Sequence, residues 1–348
     1  MDDGRAPAPR EQGWKKFVLA LAAFLLVSRI PALAAAAPVE DTMLLLLPAL
    51  AVCFLIGWWS GGRLALAIAW LGLAAWVLTL PATSGTAAYR DLARSWGLLS
   101  AATFGVVCLA SRDRAFLHRA LSAVGIAVLV ALLLLAISQG GAQHAQSIFA
   151  EQFAARNGQW AARMQLVTQQ LAAQAPATSL RFGDWTAEYL QELNAYSALM
   201  VSFYPAMLAL EALVALAIGW GLYHRLSRVR LGPPLAPLRD FRFNDQLIWG
   251  LVVGLTLVLL PSFAPVSAVG KNLLLFFGAL YALRGLGVMA WMIRGARPWM
   301  VAVLVVVGML LSPLVLSVAL GLGISDTWAD WRTRLRSLTP PGHDGSPS

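Results

Sequence analysis

Long apolar runs, separated by short polar segments, dominate the pattern of this chain. Runs of about 18 or more apolar residues are long enough to cross a bilayer as helices. They recur along residues 13–138 and 196–324, and they predict five membrane helices in the first region and four in the second. The run that contains Pro48 and the weakly apolar run 95–111 are candidates for re-entrant segments. The pattern therefore predicts an all-α, polytopic transmembrane helix bundle with eight or nine membrane helices.

One long polar region, residues 139–195, interrupts this pattern. In its first half, apolar side chains recur every three, four or seven residues: Phe149, Phe153, Trp160, Met164, Val167 and Leu171. This spacing is typical of an amphipathic helix. We predict an outer helical loop, with a first helix that ends near residue 175 and a second short element over Trp185–Leu193. Two interpretations remain open: a cap lying on the bundle, or a lid over a cavity that opens outward.

The two ends of the chain are polar. Residues 1–12 and 337–348 are predicted to be disordered tails. The segment 325–336, with the sequence SDTWADWRTRLR, is predicted to form an amphipathic helix at the membrane interface, with Ser325 or Asp326 as its N-cap.

The composition agrees with a membrane location. Of the 348 residues, 59% are hydrophobic and 12% are charged, whereas soluble proteins have roughly 25% charged residues. The formal net charge is +9, and the basic residues cluster between the apolar runs. This distribution indicates topology by the positive-inside rule, with a cytoplasmic N-terminus, rather than nucleic-acid binding.

The densest basic cluster lies in the segment 225–242, which its prolines predict to be extended. We predict that it lies on the cytoplasmic side. It serves either as an orientation signal or as a contact for anionic lipid or a protein partner. The predicted partner-binding residues are Arg228, Arg230, Arg239 and Arg242.

The sequence contains no HExxH, GxSxG, Walker A or CxxC motif. Its histidines lie in predicted loops or tails and form no cluster in the sequence. Cys53 and Cys108 lie in apolar runs, where a cysteine is typically a small core residue. We therefore predict no catalytic residue, no metal site and no cofactor, and we expect that the protein is not an enzyme.

Two charged residues fall inside predicted membrane helices. Arg284 lies near the middle of the apolar stretch Lys271–Met300, and Glu211 lies near the centre of the run 197–223. A guanidinium in the membrane costs about 2.5 to more than 10 kcal/mol unless it is paired or hydrated. At 1.5 Å per residue the depths of the two residues differ by about 3–5 Å, so we predict an ion pair. The pair either fixes helix packing or forms part of a substrate-binding site, and both interpretations remain open.

Three sequence blocks carry a family resemblance. They are PLAPLRDFRFND after Leu231 and Gly232, ALYALRGLGVMAW after Asn272, and GLGISDTWADWRTR. In these blocks the chain resembles the YybS-like family of uncharacterised bacterial integral membrane proteins. That family is distantly similar to the substrate-binding S components of energy-coupling factor vitamin transporters. The resemblance implies a multi-pass protein of the bacterial inner membrane and transfers no site residue.

Two functions are compatible with these observations. The first is a transporter-like component that binds a small polar or anionic solute beneath residues 145–193, with Glu211 and Arg284 near the base of the cavity. Because the sequence has no ATPase motif, active transport would need an ATPase partner. The second is a non-transporting membrane scaffold or biogenesis factor, in which the two charges only fix helix packing.

Overall fold

Every regular element that the structure describes is helical. The computed structural model describes residues 13–338, apart from 31–32, 34–36, 38, 82–85, 139–140, 294–296, 298, 301–302, 305–306 and 309–310. No strand occurs among these described residues. The predicted tail 1–12 and most of the predicted tail 337–348 lie outside the described residues, although Leu338 ends the last helix.

The chain forms two compact units, Met1–Leu235 and Ala236–Ser348. The boundary between them lies within the proline-rich segment 225–242. From Ser227 to Leu247 the chain is fully described, and its only regular elements are the short 3-10 turns Leu238–Asp240 and Asp245–Leu247.

The helices of the first unit are α1 (Trp14–Leu26), α2 (Met43–Trp59), α3 (Leu64–Thr79), α4 (Ala87–Ala110), α5 (Phe116–Ile137), α6 (Gly141–Gln174), α7 (Pro176–Ser202) and α8 (Tyr204–Leu226). Those of the second unit are α9 (Ile248–Leu259), α10 (Ser267–Met292), α11 (Ser312–Ala329) and α12 (Trp331–Leu338).

Helix α2 is at the centre of the first unit, where it packs against α3, α4 and α8. Residues 44–51 of α2 are all buried, as expected for a helix that is apolar on every side. Gly97 allows the close approach of α4, because a Cβ there would collide with the Leu44 carbonyl. At Gly219 of α8 a Cβ would lie 3.4 Å from the Leu50 amide nitrogen, which is an ordinary van der Waals contact. Helix α2 continues through Pro48, which therefore does not interrupt it.

Helices α6 and α7 pack against each other as a long hairpin with its turn at Ala175. The first helix ends at Gln174, as the amphipathic pattern predicted. The second is much longer than the predicted element 185–193. It runs to Ser202, because the next residue that disfavours a helix is Pro205. Pro205 lacks an amide donor, so the chain breaks at Phe203 and the proline occupies the first turn of α8.

Other boundaries also differ from the prediction. Helix α4 begins at Ala87 rather than near residue 95, because the Thr86 side chain caps it by accepting a hydrogen bond from the Tyr89 amide at 3.3 Å. Parts of the predicted ninth membrane helix, 299–324, lie outside the described residues. Within 299–308 the described residues are helical, Leu311 forms a turn, and α11 then begins at Ser312.

The predicted start of the interfacial helix 325–336 was wrong. Neither Ser325 nor Asp326 is an N-cap, because α11 continues through both residues to Ala329. The break occurs at Asp330, whose backbone is left-handed with φ 39°. A left-handed residue is a common way to end a helix. Helix α12 then begins at Trp331.

Five described helices, α4, α5, α8, α10 and α11, are long and apolar enough to cross a membrane. Shorter apolar helices cover Met43–Trp59, Leu64–Thr79 and Asp245–Leu259. Much of the surface of α5 is apolar and exposed, including Ile137 at 82% exposure, which suits contact with lipid. The structure thus supports a helical membrane protein, and the total of eight or nine membrane helices stays a prediction.

Direct backbone contact joins α10 to α11 in the second unit. A Cβ at Gly285 would collide with the Ala319 carbonyl oxygen, and one at Gly323 would collide with the Tyr281 carbonyl oxygen. Small residues at a crossing let two membrane helices approach this closely. The same crossing brings the residues next to these glycines, including Arg284, against the facing helix.

We expect Gly285→Ala to destabilise the protein, because its methyl group meets a backbone carbonyl that cannot rotate away. Overpacking of this kind typically costs about 1–3 kcal/mol, and thermal unfolding in detergent should show a lower midpoint. Gly321→Ala is the matched control, since an added Cβ there meets no heavy atom within 4 Å. Equal unfolding midpoints for the two variants would contradict the close crossing.

Candidate functional site

Arg284 of α10 is 4% exposed and makes three hydrogen bonds within the second unit. Its Nε donates to Asp326 Oδ2 at 2.9 Å, and its Nη2 donates to the Asp326 backbone carbonyl at 3.2 Å. Its Nη1 donates to Asp245 Oδ1 at 2.6 Å. Two carboxylates therefore face one guanidinium, a stronger arrangement than a single ion pair.

Asp326 is held as firmly as Arg284. Its side chain is 0% exposed, and its second oxygen, Oδ1, accepts a hydrogen bond from the Trp331 amide at 3.2 Å. This contact ties the first residue of α12 to the last turns of α11. Asp245, by contrast, has a side chain that is 58% exposed, so its contribution is weakened by solvent.

Aromatic and basic side chains surround this ion pair. The Phe243 ring lies 5.4 Å from Arg284 Cζ and packs edge-on against Tyr281 at 5.0 Å. Arg332 is 3% exposed and donates from both terminal nitrogens to the Phe241 carbonyl at 3.1 Å. Burial lowers the pKa of the Arg332 guanidinium, and the Asp326 charge opposes this effect.

The predicted partner of Arg284 was wrong. The carboxylates that bind it are Asp326 and Asp245, whereas Glu211 accepts a hydrogen bond from the Val39 amide. The prediction considered only charges inside apolar runs. It placed Asp326 at the start of a separate interfacial helix and Asp245 in a loop. The apolar residues before Asp326 would have allowed the helix to be extended to include it. A substrate-binding role for Glu211 or Arg284 stays a prediction.

Glu211 of α8 forms a second polar site, in the first unit. Its Oε2 accepts a hydrogen bond from the Val39 amide at 3.1 Å. Its Oε1 is buried and accepts no hydrogen bond from the part of the chain that the structure describes. A buried carboxylate oxygen without a donor is costly, by about 1–3 kcal/mol or more.

Other polar groups lie around Glu211. The Glu40 amide donates to the Tyr89 hydroxyl at 2.7 Å, and Arg156 Nη1 lies 3.6 Å from Glu40 Oε1. Burial lowers the pKa of Arg156, while the charges of Glu40 and Glu211 act in the opposite direction. The site thus combines two carboxyl groups with one guanidinium, an arrangement that suits a ligand with a positive charge or hydrogen-bond donors.

Helix α6 contributes one side of the Glu211 site. In addition to Arg156, it carries Gln152, whose Oε1 accepts from the Thr86 amide at 3.0 Å. It also carries Phe149, which stacks on Tyr204 with ring centroids 4.5 Å apart. The amphipathic helix is therefore packed over the end of α8 that leads to Glu211.

The four predicted partner-binding residues are divided between the two units. Arg228 and Arg230 belong to the first unit, and Arg228 is exposed. In the second unit, Arg239 lies 3.5 Å from Asp240, and Arg242 donates to Asp330. Their binding to a partner stays a prediction.

We expect Arg284→Met to cost about 3–5 kcal/mol of unfolding free energy, because it leaves the buried Asp326 carboxylate without a cation. Adding Asp326→Leu should recover most of this loss. Arg242→Met is the matched control. It breaks an exposed pair, with side chains 46% and 45% exposed, and should cost about 0–1 kcal/mol. Reversible denaturation in mixed micelles measures these differences. An equal loss in both single variants, or no recovery in the double variant, would show that the pair is not the main contact.

Comparison with known proteins gives a family but no solved relative. No curated protein and no solved structure matches this chain. The family described as "Predicted membrane protein (DUF2232)" matches residues 118–327, which is more than half of the chain and includes Glu211, Arg284 and Asp326. The protein therefore belongs to the DUF2232 family of predicted membrane proteins.

Proposed function

We propose that this protein binds a small polar solute at Glu211 and acts as a transporter-like membrane component without an ATPase of its own. One observation carries the proposal. Glu211 lies in α8, a helix long and apolar enough to span a membrane, and its buried Oε1 has no hydrogen-bond donor among the described residues.

The chemistry of the site favours a ligand with an amino or hydroxyl group. An ionised carboxylate accepts hydrogen bonds and donates none, so its partner must be a donor. A donor from a solute would satisfy Oε1 and reduce the cost of a charge inside the membrane. Glu40 would add a second acceptor, and Arg156 would interact with a carboxylate or hydroxyl group elsewhere on the same solute.

The position of α6 supports the lid interpretation of the amphipathic segment. Arg156, Gln152 and Phe149 all come from this helix, so its displacement would open one side of the Glu211 site. The resemblance to the YybS-like family and to S components favours the same function. In this proposal the protein lies in a bacterial inner membrane with eight or nine helices and a cytoplasmic N-terminus. An ATPase partner would contact the basic segment 225–242.

The second candidate function is a non-transporting scaffold or biogenesis factor. The observation in its favour is the Arg284 cluster, in which every guanidinium nitrogen donates a hydrogen bond to Asp326 or Asp245. A charge paired with two carboxylates at a glycine crossing suits a structural role.

A thermal-shift screen of the purified full-length protein distinguishes the solute-binding function from the scaffold function. We expect at least one of a panel of small amines, amino acids and amino alcohols to raise the unfolding midpoint of the wild type. Glu211→Gln should lower the affinity for that ligand by about 10-fold or more, because a hydrogen bond to a charged group contributes about 1.5–3 kcal/mol. Glu188→Gln, the same change at an exposed position of α7, should leave the response unchanged.

Two results would favour the scaffold. One is the absence of any stabilising compound, together with no small molecule in protein purified from native membranes. The other is a ligand response that is the same in Glu211→Gln as in the wild type.

A further inference from the structure

A second charge in the first unit, Arg119, has no ion-pair partner among the described residues. Arg119 is the fourth residue of α5 and is 1% exposed. Its Nε and Nη2 make no hydrogen bond to the described residues. Its Nη1 contacts only the weak acceptor Cys108 Sγ, at 3.8 Å, and its Cζ lies 4.6 Å from the centre of the Trp220 ring.

These contacts do not balance the burial of a guanidinium. A cation–π contact contributes about 0.5–2 kcal/mol, whereas removing an ion from water costs several kcal/mol. None of the ion pairs found in the described part of the chain includes Arg119. Buried charges are otherwise paired in proteins, so Arg119 needs an anion that the described residues do not supply.

His224 of α8 lies beside the same tryptophan. It is 3% exposed, and its ring centroid is 4.7 Å from that of Trp220. The Leu231 backbone lies beside the ring, and the charges that act on it belong to Arg119, Arg225 and Arg230. Two basic side chains, Arg119 and His224, thus meet at the Trp220 ring.

A folded segment covers this cluster. Trp220 Nε1 donates to the Pro233 carbonyl at 3.2 Å, and the Tyr223 hydroxyl donates to the Val229 carbonyl at 2.6 Å. Gly232 has a φ of +71°, and a Cβ there would collide with Arg119 Nη2. The loop after α8 is therefore fixed directly against the guanidinium, so the basic cluster is enclosed rather than spread over an open surface.

The cluster lies at helix ends. Arg119 is near the start of α5, and His224 is near the end of α8, at about 5 Å and about 3 Å from the respective terminus. In a membrane helix this depth corresponds to the headgroup region. Glu211 is separated from His224 along α8 by about 20 Å, so this cluster is distinct from the proposed solute site.

We infer that Arg119 and His224 bind a phosphate-type oxyanion, with Arg225 and Arg230 adding positive charge around it. A guanidinium recognises phosphate through parallel N–H···O bonds. In Arg119 two nitrogen atoms, Nε and Nη2, donate no hydrogen bond to the described residues. The shared chemistry is a phosphate group, which belongs either to an anionic lipid headgroup or to a free phosphate or phosphorylated solute.

The test uses the full-length protein in nanodiscs of phosphatidylcholine. Inorganic phosphate is titrated against chloride at matched ionic strength, and in a parallel series phosphatidylglycerol replaces part of the lipid. The wild type is compared with Arg119→Gln and His224→Gln. Arg114→Gln is the control, since it removes one positive charge from an exposed residue just before α5. The unfolding midpoint and bound anions seen by native mass spectrometry are measured.

We expect phosphate or phosphatidylglycerol to stabilise the wild type and Arg114→Gln, with the apparent affinity at least about 10-fold weaker in Arg119→Gln. A response to inorganic phosphate identifies a free-anion site, and a response to phosphatidylglycerol alone identifies a lipid headgroup. The proposal is overturned if neither probe stabilises the wild type, or if Arg119→Gln responds as strongly as Arg114→Gln. If Arg119→Gln does not fold, His224→Gln provides the test. A weaker stabilisation of His224→Gln by the anion supports the site, and an unchanged stabilisation overturns the proposal.

Discussion

The ion pair between Arg284 and Asp326 is the interaction on which the second unit depends. A charge in a membrane helix is tolerated only with a partner, and here each member supplies one for the other. The pair forms because Gly285 and Gly323 let α10 and α11 meet at their backbones. Asp326 then fixes the start of α12 through the Trp331 amide. Helix crossing, charge neutralisation and the turn at Asp330 are therefore parts of one arrangement.

In the first unit, two buried charged groups, Glu211 and Arg119, are not fully paired by the described residues. Among the described residues, Glu211 has one oxygen bonded to Val39 and the other without a donor. The Arg119 guanidinium contacts an aromatic ring, a thiol and the loop at Gly232, but no carboxylate pairs with it in the described part of the chain. Both residues leave hydrogen-bonding capacity that the described chain does not use. In our proposals this contrast separates Arg284, as a structural charge, from two charges that bind ligands, Glu211 a donor-bearing solute and Arg119 a phosphate group.

The sequence pattern predicted much of the helical architecture but not the partners of its charges. Apolar runs located the five described helices that are long and apolar enough to cross a membrane. The spacing from Phe149 to Leu171 located α6, because side-chain periodicity is a local property. The start of α4 was missed because a single cap residue, Thr86, sets it. The partner of Arg284 was missed because pairing depends on which helices are neighbours. The burial of Arg119 was missed, because the loop at Gly232 that covers it leaves no mark in the composition.

The most direct measurement is a cryo-electron microscopy map of the protein in nanodiscs of native lipid, with a bound antibody fragment to add mass. The account predicts non-protein density within hydrogen-bonding distance of Glu211 Oε1 and of the Arg119 guanidinium. It predicts none at Arg284, where side-chain density should connect directly to Asp326. Density from a bound molecule at Arg284, with only protein groups around Glu211 and Arg119, would contradict it.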